Sequence, residues 1–220
     1  MPESAQTTPD ALLLLAPGCP HCPAVLQALG ELVKSGLIGR LEAVNIAVHP
    51  ERAAQLGVRS VPWVKLGPFE LDGLRTASEY RDWAARAGSI DGMAAWLDEQ
   101  LREGKLARVI RFIHEQPEQL DALLSLAADA DTELTVRIGV SAVLEDLRGT
   151  PVLQARLNAL GALSKHADPR VRSDAAHFLA LTQSPDAIAP LQALVEDGVR
   201  AVRDVALDSL EELTSLLASD

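Results

Sequence analysis

Leu12-Leu13-Leu14-Leu15-Ala16-Pro17-Gly18-Cys19-Pro20-His21-Cys22-Pro23 carries an aliphatic run straight into a Cys-Pro-His-Cys turn, and these are the only two cysteines in 220 residues. Four leucines ended by Pro-Gly read as a buried strand, and the segment beyond, with proline near its start, reads as a helix. That order puts Cys19 at a helix N-terminus, where unpaired N–H groups and about half a positive charge favour a thiolate. Cysteines in such turns fall from about 8.5 to roughly 3.5–7. Cys19 is therefore the expected nucleophile. Cys22, one turn into the helix and buried, is the expected resolving thiol, and His21 tunes the thiolate by charge or hydrogen bond. The loop the two cysteines close is too small to staple a fold, so the pair is reactive or metal-ligating. A closed zinc site would need His21, His49 or a second chain as well, and no metal or other cofactor is expected beyond a redox-active Cys19–Cys22 disulfide.

Working outward, the bulk properties narrow the partners. A net charge of -11 repels nucleic acid and anionic membranes, so neither is expected. The chain is 48% hydrophobic and 3% aromatic, which leans helical rather than all-β. The acidic surplus reads as spread along the chain, a solvated surface. Met1 to Asp10 lacks a basic leader region and Leu12 to Leu15 is too short for a signal core or a span, so a cytoplasmic protein is expected, with residues 1–9 disordered.

Along the chain, Val25, Leu29 and Leu32 give helical spacing up to a stop at Gly36. Leu41 to Ala47 reads as a strand in a covered sheet. His49-Pro50-Glu51 opens a short helix that Gly57 ends. Val58 to Leu66 is extended, with Pro62 at the start of its strand because proline has no ladder donor. Gly67-Pro68 turns into an antiparallel strand over Phe69 to Asp72, and Thr76 to Glu79 starts a helix through Tyr80 and Trp83.

This β-α-β-α-β-β-α order, the Cys19-Pro20-His21-Cys22 motif after a strand, and Val61-Pro62 about forty residues later resemble the thioredoxin superfamily, at a glutaredoxin-like size. The resemblance covers residues 10–90 and implies an α/β thioredoxin-like domain with thiol-disulfide oxidoreductase activity. It implies a cis Pro62 beside Cys19 that shapes the substrate groove, leaving the Val61 backbone to pair with an extended substrate, with Pro20 and Trp63 as further substrate contacts. The Cys-Pro-His-Cys centre is similar to that of bacterial periplasmic dithiol oxidases. Two positions depart from the wider family: Leu13 stands where many thioredoxins hold a buried acid, and Gly18 where they hold an aromatic residue. Both argue against efficient general protein-disulfide reduction.

Past Gly88-Ser89-Ile90-Asp91-Gly92 the composition turns to continuous Ala/Leu helix. Helices over 91–116 are expected to connect this part to a repeat region over 117–220. There Pro117, Pro151 and Pro185 recur at 34 residues, as do Leu123, Leu157 and Leu191, and Leu126, Leu160 and Leu194. Interleaved with them run Val136-Arg137, Val171-Arg172 and Val202-Arg203, each heading a second apolar helix. These segments, Asp168-Pro169-Arg170-Val171-Arg172 among them, resemble short bacterial HEAT-like repeats. The resemblance implies an all-α C-terminal domain of three stacked helix pairs with one continuous core.

Several residues carry a plain reading beside the functional one. Trp63 either lines the substrate groove or is a packed aromatic. Trp83 and Trp96 read as core packing, and His114, His166 and His177 as ordinary repeat residues. Arg137, Arg172 and Arg203 read as partners of acids in neighbouring repeats rather than as a binding ladder. The function expected is thiol-disulfide exchange on protein or glutathione disulfides, with the HEAT-like domain recognising a protein client and a dithiol or glutathione as electron partner. The alternative is a protein-binding adaptor whose cysteine pair is a redox latch or vestigial.

Overall fold

The computed structural model describes residues 8–219. It divides into two compact units, one through Met93 and one from Ala94. In the first, β1 (Ala11–Leu15) is followed by α1 (Cys22–Lys34), β2 (Leu41–Asn45), α2 (Pro50–Gln55), β3 (Trp63–Leu66), β4 (Phe69–Asp72) and α3 (Ala77–Arg86). The strands form one mixed sheet in the order β2-β1-β3-β4, with β1 and β2 parallel and the other neighbours antiparallel. The leucine run is thus an inner strand: Leu13 and Leu14 are fully buried, with Leu13 opposite Ala43 on one side and Val64 on the other. The expectation of disorder over residues 1–9 falls, for 1–7, outside the described residues. Pro9 is held, its carbonyl accepting from Gly39 N–H at 2.9 Å.

The 41–47 segment differs from its expected place in a covered sheet. It pairs with β1 alone, lies at the sheet edge and leaves Glu42 and Ala43 exposed, so only Val44 is buried. Pro62 directly precedes β3, where its missing N–H costs no ladder bond. Gly67, at φ +56, makes the β3–β4 turn in the left-handed region that glycine adopts without a Cβ penalty.

Helix α3 opens with a reciprocal cap. The Thr76 hydroxyl oxygen accepts from Glu79 N–H at 3.2 Å, and the Glu79 carboxylate accepts from Thr76 N–H at 2.7 Å. Those Thr76 bonds hold the Glu79 carboxyl below its ordinary range. Phe69 and Trp83 pack tilted at 4.9 Å between ring centroids, and Tyr80, on the same helix as Trp83, is fully buried. Gly92 lies inside α4 (Ile90–Arg102), where the Arg86 carbonyl oxygen stands 2.3 Å from the point a Cβ would occupy. Gly92, the last residue of the segment where the composition changes, is therefore a contact glycine within the helix.

In the second unit α4 is followed by α5 (Leu106–Glu115), α6 (Leu120–Ala128), α7 (Leu134–Asp146), α8 (Pro151–Gln154), α9 (Leu157–Leu163), α10 (Pro169–Leu181), α11 (Ile188–Val195) and α12 (Arg200–Leu217). The pairs α6/α7, α9/α10 and α11/α12 stack through their second helices, with α7 against α10 and α10 against α12. The helices expected only as connectors also pack here: α5 contacts α7, Trp96 and Phe112 pair α4 with α5 at 4.8 Å, and Gly139 of α7 admits Leu101. The repeat prolines do not head the main helices. Pro117 and Pro185 start 3-10 turns and Pro151 starts the four-residue α8, each ahead of the leucine-bearing helix. Of the repeat leucines, Leu123, Leu160, Leu191 and Leu194 are buried, whereas Leu126 and Leu157 are half-buried.

Candidate functional site

The turn after β1 folds because Pro17 and Gly18 leave the strand and Cys19 N–H closes onto the Ala16 carbonyl at 3.1 Å. The Sγ atoms of Cys19 and Cys22 lie 2.20 Å apart, with their Cα atoms 5.5 Å apart. Cys22 is the first residue of α1, not one turn inside it, and is 4% exposed. Its N–H donates to Cys19 Sγ at 3.1 Å. The sulfur of Cys19 thus takes the place that a capping side chain would fill. His21, the N-cap by backbone position, makes no side-chain cap bond, and no acidic residue occupies the first turn. An anion at Cys19 therefore meets a helix N-terminus with no competing carboxylate in its first turn.

Accessibility separates the two sulfurs. Cys19 is half-buried between the exposed Gly18 and Pro20, and His21 is exposed, while Val25 and Leu29 bury α1 beneath Cys22. Only the first cysteine of the pair presents appreciable surface. Leu13 is fully buried, so no carboxylate comes from that strand position.

The Val61–Pro62 peptide bond is cis; Val61 is half-buried and Pro62 is buried. Trp63 is 1% exposed and belongs to an apolar cluster with Leu14, Val44 and Ala53, against which Val61 also packs. The packed-aromatic reading therefore holds for Trp63, which offers no surface to a substrate. Its Nε1 has no hydrogen-bond partner among the described residues. His49 pairs with Glu51 at 3.1 Å. Among the described residues no three His, Cys, Asp or Glu side chains converge as metal ligands.

In the second unit the repeated arginines join layers, as their spacing suggested. Arg137 of α7 bonds Asp174 of α10, and Arg172 of α10 grips Asp197 with Nε and Nη2 at 2.7 and 3.0 Å. Arg172 Nη1 also donates to the carbonyls of His166 and Ala167. These bonds hold the Asp197 carboxyl below its ordinary value, whereas burial raises that of Asp174. Arg203 differs, donating to the Asp197 carbonyl at 2.7 Å. His114 and His177 reach Asp146 and Glu145, two adjacent acids of α7. Sequence reading missed Arg156, which spans the first two repeats. Its signal was available, since position 156 and its equivalent 34 residues on, Pro190, carry unlike side chains.

Residues 120–211 match the family model of HEAT repeats. No curated protein matches the chain. Among the described residues no helix is long and apolar enough to cross a membrane.

Proposed function

We propose that the chain is a thiol-disulfide oxidoreductase of thioredoxin-like fold acting on protein or glutathione disulfides, with its HEAT-like repeats recognising a protein client. The observation that carries the reading is the pairing of a half-buried Cys19 with a buried Cys22 at disulfide distance, on the N-terminus of the helix that follows the inner strand. The mixed four-stranded sheet around that strand gives further support.

In the reducing direction, the Cys19 thiolate attacks one sulfur of a client disulfide. A Cys19–client bond forms, the client S–S bond breaks, and the released client thiolate takes up a proton. Cys22 then loses its proton and attacks Cys19 Sγ, forming the Cys19–Cys22 disulfide and releasing the second client thiolate. Two electrons have passed to the client, and a dithiol or two glutathione molecules return them. His21 sets the thiolate population, and Pro62 with the Val61 backbone shapes the approach of the substrate. In a reducing cytoplasm the couple rests as the dithiol, which suits reduction, isomerisation or deglutathionylation.

Glutathione-dependent exchange by wild type and by Cys19→Ser tests this directly: activity is expected in the first alone, and equal activity in both removes the reading. The adaptor alternative is favoured by the family match, which falls on the repeats and not on the cysteines. Cys22→Ser separates the two, because an exchange enzyme then accumulates mixed disulfides with specific proteins and an adaptor does not.

A further inference from the structure

In the first two layers of the repeat unit, the second helix is covered by the layer that follows it. Leu144 of α7 is fully buried, as are Ala176 and Leu179 of α10. The arginines of these helices also find carboxylates one layer on. Arg137 bonds Asp174 of α10, and Arg172 bonds Asp197, which lies between α11 and α12. Helix α12 repeats the pattern at Arg203, Leu207 and Leu210, each 31 residues beyond Arg172, Ala176 and Leu179. Here the pattern is open. Leu210 is only half-buried and Leu207 is 43% exposed. Arg203 keeps its bond to the Asp197 carbonyl, in the turn of its own layer, but has no carboxylate partner among the described residues.

The same face carries its own complement. Glu211 is exposed, follows Leu210 directly, and its carboxylate has no partner among the described residues. The acids around it are committed, Asp204 to Arg200 at 3.4 Å and Glu212 to Arg148 at 2.7 Å. Arg203 and Glu211 thus flank the two leucines from opposite ends, each short of an opposite charge. A two-fold axis across the helix sets such a face against itself. With Leu207 of one chain on Leu210 of the other, Arg203 stands opposite Thr214, three residues from Glu211 and so about 4.5 Å from it along the axis. A guanidinium spans that offset, and symmetry makes the pair twice. Residues 94–220 carry 12 Lys and Arg against 21 Asp and Glu, so -9 of the net -11 belongs to this unit, unlike the even spread expected. That charge opposes self-association at low salt and is screened beyond about 8 Å at physiological ionic strength.

We propose that this face of α12 binds α12 of a second copy of the chain, antiparallel, with Leu207 and Leu210 in contact and Arg203 of each copy paired with Glu211 of the other. The second copy supplies what the following layer supplies to α7 and α10, an apolar cover and a carboxylate for the arginine. This goes beyond the thiol-disulfide reading and does not rest on it.

The test is sedimentation equilibrium of the full chain at physiological salt, from about 1 to 100 μM. A single helix face is a small interface, so a reversible dimer with a micromolar dissociation constant is expected. Leu207→Asp should leave a monomer. Glu211→Arg, at an exposed side chain without a partner, should weaken the dimer at least about tenfold by setting arginine against arginine. Arg203→Glu/Glu211→Arg exchanges the charges within each chain and should return the dimer to within about threefold of wild type. Circular dichroism of each variant should match that of the wild type. The double variant Cys19→Ser/Cys22→Ser should dimerise as wild type, which separates this contact from a disulfide between chains. A monomer throughout the range assigns the face to a different protein and overturns the proposal. A dimer that survives both Leu207→Asp and Glu211→Arg is formed elsewhere and overturns it as well, and a charge exchange no better than Glu211→Arg alone overturns the Arg203–Glu211 pairing.

Discussion

At the scale of single residues, the proposed chemistry rests on one sulfur. Cys19 Sγ receives the Cys22 N–H and faces a helix start without acids, so reduced Cys19 is expected to titrate well below an ordinary thiol at about 8.5. Thiolate absorbance against pH reads this, and a midpoint above 8 contradicts it. Stabilising the thiolate also stabilises the dithiol, which places the couple above about -230 mV, as equilibration with glutathione will measure. A second residue offers a clean probe of burial. Tyr80 is the only tyrosine, its hydroxyl is buried with no hydrogen-bond partner among the described residues, and desolvation pushes its phenol up to about 12. The folded state holds that proton more firmly than the unfolded chain, so its contribution is present below the unfolded value near 10 and is lost as pH rises toward 12. Phenolate absorbance should therefore appear only as the protein unfolds at alkaline pH; a midpoint near 10 in folded protein would contradict the burial of this side chain.

At the scale of elements, α3 and α4 depend on local chemistry that the sequence shows in one case and hides in the other. Thr76-x-x-Glu79 announces its cap, and the structure makes both bonds. Thr76→Ala is expected to lower stability by about 1 kcal/mol at neutral pH. The depressed Glu79 value makes the carboxylate's share of the cap complete above the ordinary carboxyl value of 4.5 and lost as pH falls through the folded value, while the Thr76 hydroxyl bond to Glu79 N–H persists. Thermal unfolding at pH 7 and pH 3 should show the wild-type advantage shrinking; an advantage independent of pH counts against the Glu79 half of the cap. Gly92 gave no such signal, because its reason is the Arg86 carbonyl brought against it by the α3–α4 turn. Gly92→Ala must displace backbone there and should cost more than Gly30→Ala, whose added Cβ meets nothing within 4 Å.

At the scale of the whole molecule, two compact units carry separable properties, and the repeats are held by layer-to-layer contacts rather than by any one helix. The Arg172–Asp197 grip is the best satisfied of these, with side chains 16% and 10% exposed. Arg172→Met strands the carboxylate and two carbonyls and should destabilise the unit by about 3 kcal/mol, whereas Arg203→Ala, which removes one bond to a carbonyl, should cost about 1 kcal/mol. Asp197 is depressed by Arg172, so the pair stabilises above the ordinary value near 3.8 and its share is lost as pH falls through the lower folded value. Melting of both variants between pH 6 and pH 2.5 checks the order and the sign; equal losses at pH 6 contradict it. By itself the sequence determined the apolar strand, the cysteine pair beyond it and the HEAT-like period, because an unbroken apolar run, turn residues and repeat spacing are local signals. Only the tertiary structure decided that Leu41–Asn45 is an edge strand, that Trp63 is core and that Gly92 is a contact residue. Each of those depends on which surface another element covers, and that is fixed by packing between segments far apart in the chain.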